Sequence, residues 1–230
     1  MDIVYLLKDT PTNEELIYSL RSLVNLPHDK VFFVGGCPNN IDRTKIIHIP
    51  IIQTNDKYKN TENGLKYICK DNRLSEDFIL MNDDFFILKP IKDPKEELKL
   101  CRGPIEDVLK SLPSGGTYWL SMRQANIFLK DLGFSEPLSY ELHIPMVINK
   151  KKFLDMFLLN YIDSISPGQQ RSIYGNMFLK GSKFVRDVKV YQNKTESFEV
   201  DKFLSSEDTS WPRVKEYIGP LFSNKSEFEI

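Results

Sequence analysis

Four short, mostly apolar runs set the strongest constraint on how this chain can fold. They cover residues 3–7, 31–34, 46–50 and 77–81, and they are rich in β-branched and aromatic side chains. Ile3-Val-Tyr-Leu-Leu7 is apolar without a break, which suits a strand buried on both faces of a parallel sheet. Helical patterns lie between the runs. Asn13 stands where a helix cap belongs, ahead of Leu16, Leu20, Leu23 and Val24 at helical spacing, and Pro27 ends that helix. A second helix is predicted over 61–70, with Leu65 and Ile68 on one face. Strand, helix, strand, strand, helix, strand at these lengths predicts an α/β fold with a mainly parallel sheet flanked by helices.

The second half reads as less regular α+β structure. Helices are predicted over 94–112, interrupted at Gly103-Pro104, and over 122–132, ended by Gly133. A strand is predicted over 143–148, helices over 151–161 and 169–179, and a strand-like stretch over 183–191. The last forty residues read as aromatic-rich and irregular. No repeat or clear linker divides the 230 residues, so one domain is expected. A net charge of -1 gives no global pull toward nucleic acid or an anionic membrane. The three cysteines, an odd number without a C-x-x-C pair, argue against a disulfide framework and a Cys-based zinc site. The N-terminal apolar run is too short for a leader peptide or a membrane span. A cytoplasmic protein without membrane insertion is the expectation.

The fourth run ends in Asn82-Asp83-Asp84. In open α/β sheets ligands sit beyond the carboxyl ends of the strands, so two carboxylates are delivered there. Adjacent carboxylates repel unless a cation or hydrogen-bond donors neutralise them. Hard oxygen ligands suit Mg²⁺ or Mn²⁺ bridging a diphosphate. The alternative is a plain polar turn between two strands. The apolar Phe85-Phe-Ile-Leu88 that follows favours a fixed site.

Asp77-Phe-Ile-Leu-Met-Asn-Asp-Asp-Phe-Phe86 resembles the acidic segment of GT-A-type glycosyltransferases. It is most similar to small phage and bacterial transferases related to the Stealth sugar-phosphate transferases. Further segments resemble that group in the same order: Tyr18-Ser-Leu-Arg-Ser22, Lys59-Asn60 to Lys66, Glu141-Leu-His-Ile-Pro145, Arg171-Ser-Ile-Tyr-Gly-Asn176 and Phe203-Leu-Ser-Ser-Glu-Asp208. One departure is Asn82, where the usual Asp-x-Asp motif begins with Asp. The resemblance implies a GT-A-like, Rossmann-like fold, with residues 1–90 binding a nucleotide sugar, such as a UDP-sugar, and 91–230 facing the acceptor. It implies that Leu6, Lys8 and Asp9 hold the base and ribose, with Asn60 or Asn63 over them. Asp84 would hold Mn²⁺ or Mg²⁺, Asp208 would complete the metal shell, and Asp83 would hold the donor sugar or ribose. Glu141 and His143 would stand on the acceptor side, and Arg171 would neutralise phosphate.

Individual residues leave alternatives open. Glu141 and His143 alternate along a predicted strand, which suits either a general base or a structural His–Glu hydrogen bond. Arg21 suits a phosphate contact or an ion pair with Glu14 or Glu15. His48 reads as a core or edge histidine and His28 as a solvated one. Gly35-Gly36 reads as a turn and not a P-loop, since no Gly-Lys-Ser/Thr follows. Lys180, Lys183, Arg186, Lys189 and Lys194 form a basic strip with Phe184 and Tyr191 among them, offset by Asp187, and Lys150-Lys151-Lys152 adds a second spot. Such a strip suits a solvated face or a phosphate backbone with stacked bases. The acceptor expected is DNA of the 5-hydroxymethylcytosine type, in the host cytoplasm if the chain is phage-encoded, or otherwise a glycan. The competing functions are sugar-1-phosphate transfer, a non-catalytic nucleotide-binding module and, more remotely, a metal-dependent nuclease.

Overall fold

A computed structural model describes residues 1–159, 168–192 and 202–230. The four apolar runs form strands β1 (Asp2–Leu7), β2 (Val31–Gly35), β3 (Ile47–Ile49) and β4 (Asp77–Met81). These pair in parallel in the order β3-β2-β1-β4, in register Ile3 with Val31 on one side and with Ile79 on the other. The described structure is therefore α/β with a mainly parallel sheet flanked by helices, as the run pattern predicts.

Alternate residues of each strand serve opposite faces. Ile3, Tyr5 and Leu7 of β1 pack with Phe33 and Met81 against Leu16, Ile17 and Leu20. Those residues belong to α1 (Glu14–Ser22), whose cap is Asn13, accepting from the Leu16 N–H at 3.0 Å. Val4, Phe32, Phe78 and Leu80 face the other way, onto Leu65 and Ile68 of α2 (Lys57–Ile68). A period-two strand with both faces covered has no polar side, which is why β1 reads as continuously apolar. Val24 departs from the expected apolar stripe. Helix α1 stops at Ser22, and a 3₁₀ turn at Leu23–Asn25 leaves Val24 82% exposed. Helix α2 begins earlier than expected, because Asp56 caps the Tyr58 and Lys59 N–H groups of a polar first turn.

After the acidic turn comes β5 (Phe85–Ile87). The predicted helix over 94–112 is instead a short helix at Pro94–Glu97, two-residue strands at Leu100–Cys101 and Gly103–Pro104, and α3 (Ile105–Ser111). Helix α4 (Thr117–Asp131) follows. The strand expected over 143–148 is β6 (Met146–Asn149), which closes the sheet antiparallel to β4. His143 consequently sits in a bend ahead of the strand. Helices α5 (Lys150–Met156) and α6 (Gln170–Phe178) cover the α2 face of the sheet. The far end of the helix expected over 151–161 lies outside the described residues.

The stretch 183–191 is not one strand. Lys183–Phe184 pairs with Leu100–Cys101, and Lys189 bridges Ser205. The C-terminal segment is more regular than its sequence suggested. Strand β7 (Phe203–Ser205) pairs antiparallel with β5, and α7 (Trp211–Ile218) packs Val214 and Ile218 on Phe86 and Leu204. No helix among the described residues is long and apolar enough to cross a membrane. The three cysteines are free and buried.

Candidate active site

The chain starts at β1, winds outward to β3, and returns to lay β4 on the other side of β1. At such a reversal the loops leaving the two central strands diverge, and a crevice opens beyond their carboxyl ends. A cleft of about 1220 Å³ lies there. Its lining includes Leu6, Leu7, Lys8 and Asp9 from the end of β1 and Asn82, Asp83 and Asp84 from the end of β4.

One wall runs from Ile51 to Asn55 and onto α2 at Lys57, Asn60 and Thr61. Asn60 builds that wall by pinning Thr54: its Oδ1 accepts from the Thr54 N–H at 2.8 Å, and its Nδ2 donates to the Thr54 carbonyl at 2.7 Å. Gln53 fastens the wall to β1, donating to the Leu7 carbonyl at 2.6 Å and accepting from the Asp9 N–H at 3.0 Å. Gly35 and Gly36 do more than turn the chain. Gly35 has φ of +103°, and a Cβ at Gly36 would lie 2.3 Å from the Lys8 carbonyl oxygen, so the absence of side chains lets the backbone run against the cleft rim. Asn63 is exposed and does not line the cleft.

The opposite wall is acidic. Asn13, having capped α1 with its oxygen, donates its amide to Asp83 at 2.6 Å. Burial and the neighbouring Asp84 charge raise the Asp83 carboxyl above the usual carboxylate range. Asp84 accepts from Ser205 Oγ at 3.1 Å and pairs with Lys189 at 3.2 Å. Glu15, also lining the cleft, is bound by the Ser206 hydroxyl at 2.5 Å. Burial, aided by the charges of Asp83, Asp84 and Asp208, pushes its carboxyl up to about 7. Asp208 is exposed in the same cleft. Among the described residues no three acidic, His or Cys side chains form a ready-made metal cage. Mg²⁺-type ions need none, since one or two carboxylates complete their shell with substrate phosphates and water. Asp84 and Asp208 line the same cleft, and carboxylate oxygens are the donors a hard divalent cation takes, so this donor set fits such an ion.

Glu141, His143 and Arg171 lie outside that lining, grouped beyond Phe85. The Arg171 guanidinium lies over the Phe85 ring at 5.7 Å, and the His143 ring meets the same ring edge-on at 6.3 Å. Arg171 spends its terminal groups on the carbonyls of Leu142 and Ile144, at 2.7 and 2.5 Å. It braces the bend around His143 instead of presenting those N–H groups to a phosphate. Glu141 accepts from the Ser172 N–H at 3.0 Å, capping the start of α6, and burial raises its carboxyl while Arg171 opposes the shift. The expected common face of Glu141 and His143 on a strand is replaced by this bend, and the partner of His143 is Asp187, at 2.9 Å.

Arg21 is placed elsewhere. It pairs not with Glu14 or Glu15 but with Glu229, through Nε at 2.8 Å and Nη2 at 2.7 Å, and donates to the Phe222 carbonyl at 3.0 Å. His48 Nε2 donates to the Gly35 carbonyl at 2.9 Å, and His28 Nδ1 to the Leu26 carbonyl at 2.7 Å. The basic strip divides: Lys180, Lys183, Phe184 and Arg186 are exposed, while Lys189 turns into the cleft. Lys194 lies outside the described residues. Sequence reasoning missed Glu15, Gln53, Lys189 and Asp187; the available signal for the last was a lone acid in a basic strip.

No family model matches the sequence, and no curated protein matches it. Among solved structures the chain is similar to the galactosyltransferase LgtC, solved with donor and acceptor sugar analogs, at 12% identity over 80% of this chain and 73% of that one, with a TM-score of 0.49. An active-site mutant of LgtC gives 12% identity over 80% and 72%, with a TM-score of 0.45. The glycosyltransferase GlyE of Streptococcus pneumoniae TIGR4 gives 12% identity over 96% and 49%, with a TM-score of 0.36. At such identities and scores the likeness assigns no activity to this chain.

Proposed function

We propose that this chain is a GT-A-type glycosyltransferase that takes sugar from a nucleotide-sugar donor, such as a UDP-sugar, and passes it to a hydroxyl acceptor. The observation that carries the reading is a cleft at the sheet's reversal that joins the β1 rim to the acidic turn at Asp83 and Asp84. Leu6, Val34 and Ile51 offer an apolar floor for a nucleobase, and Lys8, Asp9, Gln53 and Asn60 a polar edge for base and ribose. Asp83, whose carboxyl is raised by burial and the Asp84 charge, lines the cleft and is placed to hydrogen-bond sugar hydroxyls. Asp84 and Asp208 would hold Mn²⁺ or Mg²⁺ beside the diphosphate. The ion supplies Lewis-acid stabilisation of the departing charge when bound. Lys189 adds a fixed positive charge at the same place.

Glu141, His143 and Arg171 form the acceptor side, across Phe85 from the acidic turn. A DNA acceptor would meet the exposed Lys183, Phe184 and Arg186, which offer charge to phosphates and a ring to bases.

The test incubates the purified protein with a panel of nucleotide sugars and Mn²⁺, with hydroxymethylated duplex DNA or small glycans as acceptors. Mass spectrometry reads the products and the released nucleotide. Diphosphate release that falls at least about 100-fold in Asp84→Ala is expected, the scale of losing one electrostatic stabiliser. Monophosphate release would replace glycosyl transfer by sugar-1-phosphate transfer. Donor binding without turnover would leave a nucleotide-binding module.

A further inference from the structure

The geometry points to Asp187 as the positioning residue that keeps His143 Nε2 unprotonated, so that this nitrogen takes the proton of the acceptor hydroxyl. The assignment deepens the transferase reading and rests on it.

The imidazole is held from one side only. His143 Nδ1 lies 3.0 and 2.9 Å from the two carboxylate oxygens of Asp187, and the backbone N–H of His143 donates to Oδ1 at 3.1 Å. An ionised carboxylate can only accept, so the proton of a neutral ring belongs on Nδ1 and the lone pair on Nε2. The hydrogen bond from His143 lowers the Asp187 carboxyl below its ordinary range despite burial, which keeps it an acceptor. Nε2 has no hydrogen-bond partner among the described residues, and the His143 side chain is 31% exposed against 12% for Asp187.

The dyad also stands in a useful place. Arg171 fixes the carbonyls on both sides of His143, so the bend cannot rotate freely. Lys189, two residues after Asp187, bridges Ser205 beside the acidic turn. Lys189 reaches Asp84 at 3.2 Å, and the His143 ring lies against Phe85, the residue after Asp84, so the dyad stands beside the acidic turn. The charged and titratable groups facing the dyad are Glu141 beside the imidazole and Arg102, Arg171, Tyr118 and Tyr191 around the carboxylate.

In the step, the acceptor oxygen forms its bond to the transferred sugar carbon. The bond from that carbon to the diphosphate breaks, with its electron pair leaving on the diphosphate. The acceptor's proton ends on Nε2 and is later released to water.

Two variants test this without an identified acceptor, using water and the nucleotide sugar that the protein hydrolyses fastest in the panel. Asp187→Asn retains the shape. If its oxygen stays on the His143 N–H, its amide N–H₂ faces Nδ1 and forces the ring proton onto Nε2. His143→Asn retains a donor near the Nδ1 position and removes Nε2. ¹⁵N NMR of the imidazole reads the tautomer, and diphosphate release gives kcat and donor KM. The expected result is Nδ1–H in the wild type, Nε2–H in Asp187→Asn, and kcat lower by roughly 100- to 10,000-fold in both variants, with donor KM within about twofold. A wild-type ring protonated on Nε2, or a variant turning over at the wild-type rate, overturns the assignment alone. Wild-type protein that releases no diphosphate from any donor overturns the transferase reading, and the assignment with it.

Discussion

The ammonium of Lys189 stands 3.2 Å from Oδ2 of Asp84, the oxygen to which Ser205 also donates, at 3.1 Å. Both partners of the ion pair are mostly buried, with side chains 19% and 15% exposed. Removing the lysine would strand a carboxylate among Asp83, Glu15 and Asp208. The cost should fall between that of an exposed pair and a fully buried one, about 1–3 kcal/mol. Lys189→Met is therefore expected to melt roughly 2–12 °C lower without metal. Millimolar Mn²⁺ should raise its Tm more than that of the wild type, since the ion then has an unpaired ligand to fill. Calorimetry with and without Mn²⁺ checks this; an equal Mn²⁺ effect on both proteins would count against Asp84 as a ligand.

Arg21 ties the first helix to the C-terminal end of the chain. Its two contacts with Glu229 are bidentate, the side chains are 15% and 7% exposed, and Ser226 adds its own N–H to Glu229 at 2.7 Å. This pair depresses the Glu229 carboxyl against the opposing effect of burial. A depressed carboxyl stabilises the fold above its unfolded value and loses that contribution as pH falls. Arg21→Met should cost about 3 kcal/mol at neutral pH, or roughly 6–12 °C in Tm. The deficit should shrink in acid. UDP affinity, read by titration calorimetry, should remain within about twofold of wild type, because Arg21 does not line the cleft.

Glu15 predicts the opposite pH dependence. Its carboxyl is raised from 4.5 to about 7, chiefly by burial. A raised group binds its proton more tightly folded than unfolded, so stability is fully present below 4.5 and declines as pH climbs through 7. Glu15→Gln should match the wild type near pH 4 and exceed it by about 2–4 °C in Tm near pH 8, on the scale of 1 kcal/mol. Thermal melts across that range decide the matter. A variant equally destabilised at both ends would mean that the Ser206 bond to Glu15 outweighs the repulsion.

What the sequence disclosed, and what it hid, follows from the range of each interaction. Strands β1, β2 and β4 were legible because burial on both faces leaves their interiors without a polar position. The Asn13 cap was legible because it acts on N–H groups a few residues away. The acidic turn came from a local pattern at a strand end, and the β1 rim and Asn60 from the resemblance to GT-A-type transferases. Gln53, Glu15, Lys189 and Asp187 were hidden, since periodicity assigns a face and not the distant side chain that meets it. Helix α7 carried a readable signal in Pro212 at its start with Val214 and Ile218 four apart, but the surrounding aromatics masked it. The strand expected over 183–191 failed because Lys189 answers to Asp84 and Asp187 to His143, contacts that alternation cannot express.

Gly36 is the residue whose role the structure changes most simply. A Cβ there would lie 2.3 Å from the Lys8 carbonyl oxygen and 2.6 Å from the Asp9 Cα, both backbone atoms that no rotamer change can move aside. Gly36→Ala must push the Lys8–Asp9 rim outward or shift the end of β2. Overpacking of this kind costs about 1–3 kcal/mol, and the strain falls on the rim proposed to hold base and ribose. The rim is fastened through Gln53 to the wall that Asn60 pins. Displacing it should disturb the nucleoside end of the cleft while leaving the acidic turn in place. UDP and uridine should lose affinity by a similar factor, about tenfold for a loss of 1.4 kcal/mol, with the Mn²⁺ stabilisation of the free protein preserved. Titration calorimetry with both ligands reads the outcome; unchanged uridine affinity would remove Lys8 and Asp9 from the nucleoside site.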